Sequence, residues 1–233
     1  FQTNNLTVGR NSEPIGGIAA DAVLSTEGQT ATFVYVDGTE GWINIQETSN
    51  SVTGNPFLVA TGGTITTCGN CKIHTFTGPG TFTVCKISCT AAENTVSYLV
   101  IAGGGGGGGV MAPSNASGGG GAGGFREVKA PTTPYTASPL DGYPSAPNRV
   151  TVTATSFPIT VGGGGSGFST SPGAGGGCNG NPSVFSTITS TAGGGSTSTN
   201  GNPGGSGGGA QGGGTSRTGG SGNTPPVSPP QGN

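Results

Sequence analysis

The chain has 233 residues, of which 52 are glycine and 17 proline, 30% are hydrophobic and only 7% are charged, for a net charge of −2. Ordinary globular chains carry roughly 7% glycine and about 25% charged residues, so one large apolar core is excluded and any cores are small. Seven basic residues against nine acidic ones leave no cationic stripe for nucleic acid and no polybasic segment for anionic lipid.

Residues 1–47 read as short strands and turns forming a shaft-like β module. Within it, 31–36, the turn Asp37-Gly38 and 41–45 make a hairpin candidate, because Asp-Gly supplies the positive φ of tight hairpin turns. A unit this small is marginal alone, so self-association as a trimer is expected to complete its core. Residues 48–60 read as a linker. Residues 61–101 are a second β unit, in which 72–76 and 81–85 flank Thr77-Gly78-Pro79-Gly80, a strong hairpin signal. The run 96–102 is the longest apolar one and is far too short to cross a membrane. It leads straight into seven glycines, and from 102 to 222 glycine tracts alternate with β-like segments. Residues 223–233, rich in proline, favour an extended polyproline II tail. Both chain ends read as breaks within a longer polypeptide.

Lone glycine-serine runs are usually flexible linkers. Here the tracts are long, numerous and anchored at both ends by short strands. Polyproline II geometry has three residues per turn and points backbone N–H and C=O groups outward, and without side chains such threads approach closely enough to bond one another. Each bond contributes only about 1 kcal/mol net against glycine's large ordering entropy, so order requires many bonds formed together. An all-β fold containing a polyglycine II-like bundle is therefore expected.

Four cysteines cluster as Cys68-x-x-Cys71 and Cys85-x-x-x-Cys89. If 76 faces 81 across the hairpin, Cys68 falls near Cys89 and Cys71 near Cys85, giving two disulfides; a zinc site made by the same four thiolates is the alternative, and free thiols a third. Cys178, among glycines, reads as a free small residue. His74 is the only histidine and has no accompanying base or nucleophile motif. Gly204-Gly205-Ser206-Gly207-Gly208 matches a nucleophile elbow only by chance, since no strand–turn–helix context surrounds it. The proline-punctuated loop 131–149 carries Tyr135, Asp141, Tyr143 and Arg149, which are candidate receptor-binding residues or simply cover for the small core.

The succession of 98–102, the glycines of 103–109, then 118–125, 157–165 and 219–226 resembles the glycine-rich domain of bacteriophage tail fibres and adhesins. Residues 5–11 and 33–42 resemble a module of tail-fibre shafts. The resemblance implies a trimeric fibrous β shaft followed by a glycine-rich head of polyglycine II threads, whose loops carry specificity. It implies a non-enzymatic virion protein, extracellular, homotrimeric, without cofactor, bound to other tail proteins and to a host-surface receptor, either a glycan or a protein. A purely structural rod is the alternative, and an ice- or glycan-binding surface a third reading. A depolymerising enzyme is disfavoured because the acids are scattered, with no paired carboxylates evident.

Overall fold

The computed structural model describes residues 5–25, 30–48, 58–69, 71–88, 90–109, 116–168, 175–212 and 216–233. They are all-β, with two 3-10 turns and no α-helix among the described residues. The chain forms two compact units, Phe1–Leu58 with Ser88–Thr90, and Val59–Ile87 with Ala91–Asn233.

In the first unit, β1 (Leu6–Val8) pairs antiparallel with β2 (Ala22–Leu24), and β3 (Thr30–Asp37) with β4 (Gly41–Thr48). The expected hairpin forms, but its loop has three residues, 38–40, because Asp37 pairs with Gly41. Asp37 Oδ1 accepts the amides of Thr39 and Glu40, both at 2.8 Å, and these bonds hold its carboxyl below the usual range. Gly41 has φ +68°, the left-handed residue that closes such a loop. Only glycine fits there, since a Cβ would lie 1.8 Å from the Pro14 carbonyl oxygen. Tyr35 and Trp42 face each other edge-on at 5.4 Å. Ile18, Val23, Val34, Val36 and Ile45 remain exposed.

The second unit contains β5 (Val59–Thr61), β6 (Thr64–Cys68), β7 (Cys71–Thr75), β8 (Gly80–Lys86), β9 (Thr95–Val96), β10 (Tyr98–Ile101), β11 (Phe125–Val128), β12 (Val150–Thr151), β13 (Ser156–Thr160), β14 (Ser183–Phe185) and β15 (Ile188–Ser190). Five strands make an antiparallel sheet in the order β15-β14-β13-β8-β5. The pairs β6–β7, β9–β12 and β10–β11 are separate two-stranded ribbons. The expected hairpin of 72–76 with 81–85 is therefore not made. β7 turns back on β6, while β8 is taken by β5 and β13, where Phe82 meets Phe157. Phe82, Phe157, Phe185 and Tyr98 form one ring cluster with centroids 5.9–6.4 Å apart. Val84, Val128, Val152 and Ile188 complete this small core. Strand pairing thus joins residues on both sides of 101, where the sequence suggested a boundary.

The glycine tracts are ordered threads, and their bonds repeat every three residues. The amides of Ala102, Gly105 and Gly108 donate to the carbonyls of Gly124, Gly121 and Gly118 at 3.1, 2.8 and 2.9 Å. Those of Gly103, Gly106 and Gly109 donate to Asn181, Cys178 and Gly175 at 3.0, 2.8 and 3.0 Å. Acceptor numbers fall as donor numbers rise, so both neighbours run antiparallel to 102–109. Two further threads run parallel: Gly165 and Phe168 donate to Gly104 and Gly107, and Gly193 and Ser196 donate to Gly103 and Gly106. A strand sends its backbone groups to two sides only. Three residues per turn, as in polyproline II, sends them to several, and thread 102–109 accordingly has four bonded neighbours.

None of these glycines has a φ in the left-handed region. They are glycine because of close approach: an added Cβ at Gly103, Gly106 or Gly120 would lie 2.0, 2.1 or 1.9 Å from the carbonyl oxygen of Gly163, Ser166 or Gly105. The final residues also join the bundle rather than extending as a tail. Gln231 is buried, its carbonyl accepts the Phe125 amide at 2.9 Å, and its side chain bonds Thr191 through both Oε1 and Nε2. No helix among the described residues is long and apolar enough to cross a membrane.

Candidate functional site

Strand β11 places Arg126 and Glu127 in succession, and the two-residue period of a strand sends them to opposite faces. Arg126, opposite Val100, is buried and donates from Nη2 to Asn148 Oδ1 at 2.6 Å. Asn148 donates from Nδ2 to the carbonyls of Gly142 and Ser228 at 3.2 and 2.9 Å, and its own carbonyl accepts the Tyr98 hydroxyl at 2.7 Å. Burial pushes the Tyr98 pKa up to about 12, with the Arg126 charge opposing. Every member of this network has a partner, which is the condition under which buried polar groups specify a structure instead of weakening it.

On the other face, Glu127 Oε2 accepts the Ser138 amide at 3.0 Å and the Glu127 carbonyl accepts the Gly142 amide at 2.9 Å. Asp141 Oδ1 accepts the amides of Lys129 and Tyr143, both at 3.0 Å. These carboxylates tie loop 131–149 to β11. Both accept main-chain donors, an arrangement suited to holding a loop.

The four candidate residues divide into two groups. Tyr135 is exposed, and its hydroxyl donates to Glu127; removal of that hydroxyl from water, then the Glu127 and Asp141 charges, push its pKa up to about 12. Asp141 belongs to the same group through its influence on Tyr135. Tyr143 and Arg149 form the second: the guanidinium lies 4.5 Å from the ring centroid, and Arg149 Nε donates to the Tyr143 carbonyl at 2.7 Å. Arg149 is exposed and Tyr143 half-buried. The loop therefore presents one open tyrosine ring and one ring stacked under a cation.

Sequence reasoning missed Arg126, Glu127, Asn148 and Gln231, the polar residues that fix this surface. Adjacent opposite charges inside an otherwise apolar strand were the available signal.

The cysteines depart from the expected Cys71–Cys85 pairing. Cys71 and Cys85 are free thiols on strands that do not pair, because β7 is bonded to β6 and β8 to β5 and β13. Cys68 is also free and faces Cys71; Cys89 lies outside the described residues, so its bond to Cys68 does too. No group of three or more His, Cys, Asp or Glu side chains gathers among the described residues, and the alternative zinc set Cys68, Cys71, Cys85 and Cys89 is not assembled there. His74 is a packing residue: its ring meets Phe82 edge-on at 5.0 Å, and its Nδ1 donates to the Gly62 carbonyl at 2.8 Å. An open groove beside it, lined by Gly63, Thr64, Phe76 and Pro79 among others, carries no charged side chain.

A family model described as a glycine-rich domain matches residues 75–233. No curated protein and no solved structure matches the chain. The matched span takes in the threads, the five-stranded sheet from β8 onward and loop 131–149, and the chain belongs to this glycine-rich domain family.

Proposed function

We propose that the chain is the distal, non-enzymatic part of a bacteriophage tail fibre, a homotrimer on the virion whose glycine-rich head binds a host-surface receptor. The observation that carries this reading is the way loop 131–149 is held. Glu127, Asp141 and Asn148 spend buried or half-buried polar groups on fixing a surface loop, while Tyr135 and Arg149 stay exposed. A rigid loop bearing amphipathic rings loses little entropy on binding and suits a glycan face or a protein patch. Trimeric presentation would add avidity without strong single-site contacts. The exposed apolar side chains of the first unit, Ile18, Val23, Val36 and Ile45 among them, support self-association there.

A structural rod without receptor specificity is the second reading. It is favoured by the Tyr143–Arg149 stack, in which one candidate ring is already covered by its own chain. Attachment of the labelled protein to a panel of host cells separates the two. The receptor reading expects saturable binding that falls at least about tenfold in Tyr135→Ala/Tyr143→Ala, roughly the loss of one aromatic anchor. Binding to no cell by a stable oligomer leaves the rod as the better account.

A further inference from the structure

Cys68 and Cys71 end β6 and begin β7, and they are direct cross-strand partners flanking the two residues 69–70. Directly opposed side chains share one face of an antiparallel pair, with Cα atoms inside the range a disulfide spans and Cβ atoms about 4.5–5.5 Å apart, so that a small approach of the strand ends brings them to the roughly 3.5–4.5 Å of a disulfide. Gly69 has φ +56°, the left-handed value a two-residue hairpin turn requires at that place. The side-chain alternation puts both cysteines on the face opposite His74, the residue that docks the ribbon on Phe82. Cys68 is exposed, as is every residue of β6. A two-stranded ribbon bonded to no third strand is marginal in water, so a covalent link at its tip would add to its order.

We propose that Cys68 and Cys71 form a reversible disulfide that closes the tip of the β6–β7 ribbon in an oxidising medium. The oxidant is a low-molecular-weight disulfide. The more exposed Cys68 thiolate attacks one of its sulfurs, breaking that S–S bond and expelling one small thiolate. The Cys71 thiolate then attacks Cys68 Sγ in the mixed disulfide and expels the second. One S–S bond forms and one breaks; the small disulfide gains two electrons and, with the two cysteine protons, leaves as two thiols.

The full chain has basic residues at positions that make the test direct. Trypsin cleavage after Arg10, Lys72, Lys86 and Arg126 leaves Cys68 and Cys71 together in peptide 11–72, Cys85 in 73–86 and Cys89 in 87–126. The protein is equilibrated with oxidised glutathione, alkylated, digested and weighed. The expected result is peptide 11–72 lighter by two hydrogens, unalkylated and linked to no other peptide, and restored by dithiothreitol. Oxidation is also expected to slow amide exchange across β6 and β7 by roughly tenfold, the scale set by closing a short loop, with no such change in Cys71→Ser. Peptide 11–72 linked to 73–86 or 87–126 would overturn the proposal. So would two alkylated cysteines in 11–72 under conditions that add glutathione to Cys178.

Discussion

Gly106 and Gly163 are identical in composition and opposite in consequence. A Cβ on Gly106 meets the Ser166 carbonyl oxygen at 2.1 Å, backbone against backbone, whereas one on Gly163 meets nothing within 4 Å. Gly106→Ala is expected to destabilise the second unit by about 3 kcal/mol or more, because two threads must separate to admit the methyl. Gly163→Ala should leave stability unchanged or raise it by up to ~1 kcal/mol, since alanine costs less entropy to order and its φ is ordinary. Thermal denaturation of the pair checks this, and equal effects would contradict it. Tyr98 offers a second test at this scale. Burial raises its pKa from 10.0 to about 12, so its neutral form is favoured by folding. That contribution is complete below pH 10 and is lost as the pH rises from about 10 to 12, where the unfolded chain ionises and the folded one does not. Tyr98→Phe should flatten this alkaline loss in a pH series of melts, while costing about 1–3 kcal/mol at neutral pH by leaving the Asn148 carbonyl unpaired.

At the scale of elements, the β3–β4 hairpin was legible because its alternation and Asp-Gly turn are local signals. Its loop differs by one residue because Gly41, not Gly38, takes the left-handed place beside Pro14, a contact no local pattern encodes. Asp37 is held ionised by the Glu40 and Thr39 amides, so its folded pKa is lowered. The hairpin should keep this contribution above about pH 4 and lose it as the pH falls through the lowered value. Asp37→Ala should remove that acid dependence, read as the exchange rate of β3 and β4 amides between pH 2.5 and 5. The hairpin expected between β7 and β8 failed for a related reason. Thr77-Gly78-Pro79-Gly80 does link β7 to β8, but Phe82 meets Phe157 and Phe185 on β13 and β14, and that long-range ring packing favours pairing of β8 with β13. The Cys71–Cys85 register fell with it, because it was counted from a pairing that is not made.

For the molecule as a whole, composition was the most informative feature. Too few apolar residues and too many glycines predicted main-chain bonding in place of a large core, and the threads make their bonds with the repeat that three residues per turn demands. What composition could not supply was which thread lies beside which. That order is set by anchors far apart in sequence, among them the Phe82–Phe157–Phe185 cluster and Gln231 bonded to Phe125 and Thr191. The candidate surface was legible as a loop bearing Tyr135, Asp141, Tyr143 and Arg149. The division of labour within it was not, since the role of Asp141 as a tie for the Lys129 and Tyr143 amides depends on where β11 runs. Amide hydrogen exchange through 103–109 tests the bundle most directly. The account predicts slow exchange at Gly103, Gly105, Gly106, Gly108 and Gly109. It predicts fast exchange at Gly104 and Gly107, whose amides donate no main-chain bond among the described residues. Uniformly fast exchange through the tract would mean a flexible linker, and the bundle, with the rigid surface it supports, would be wrong.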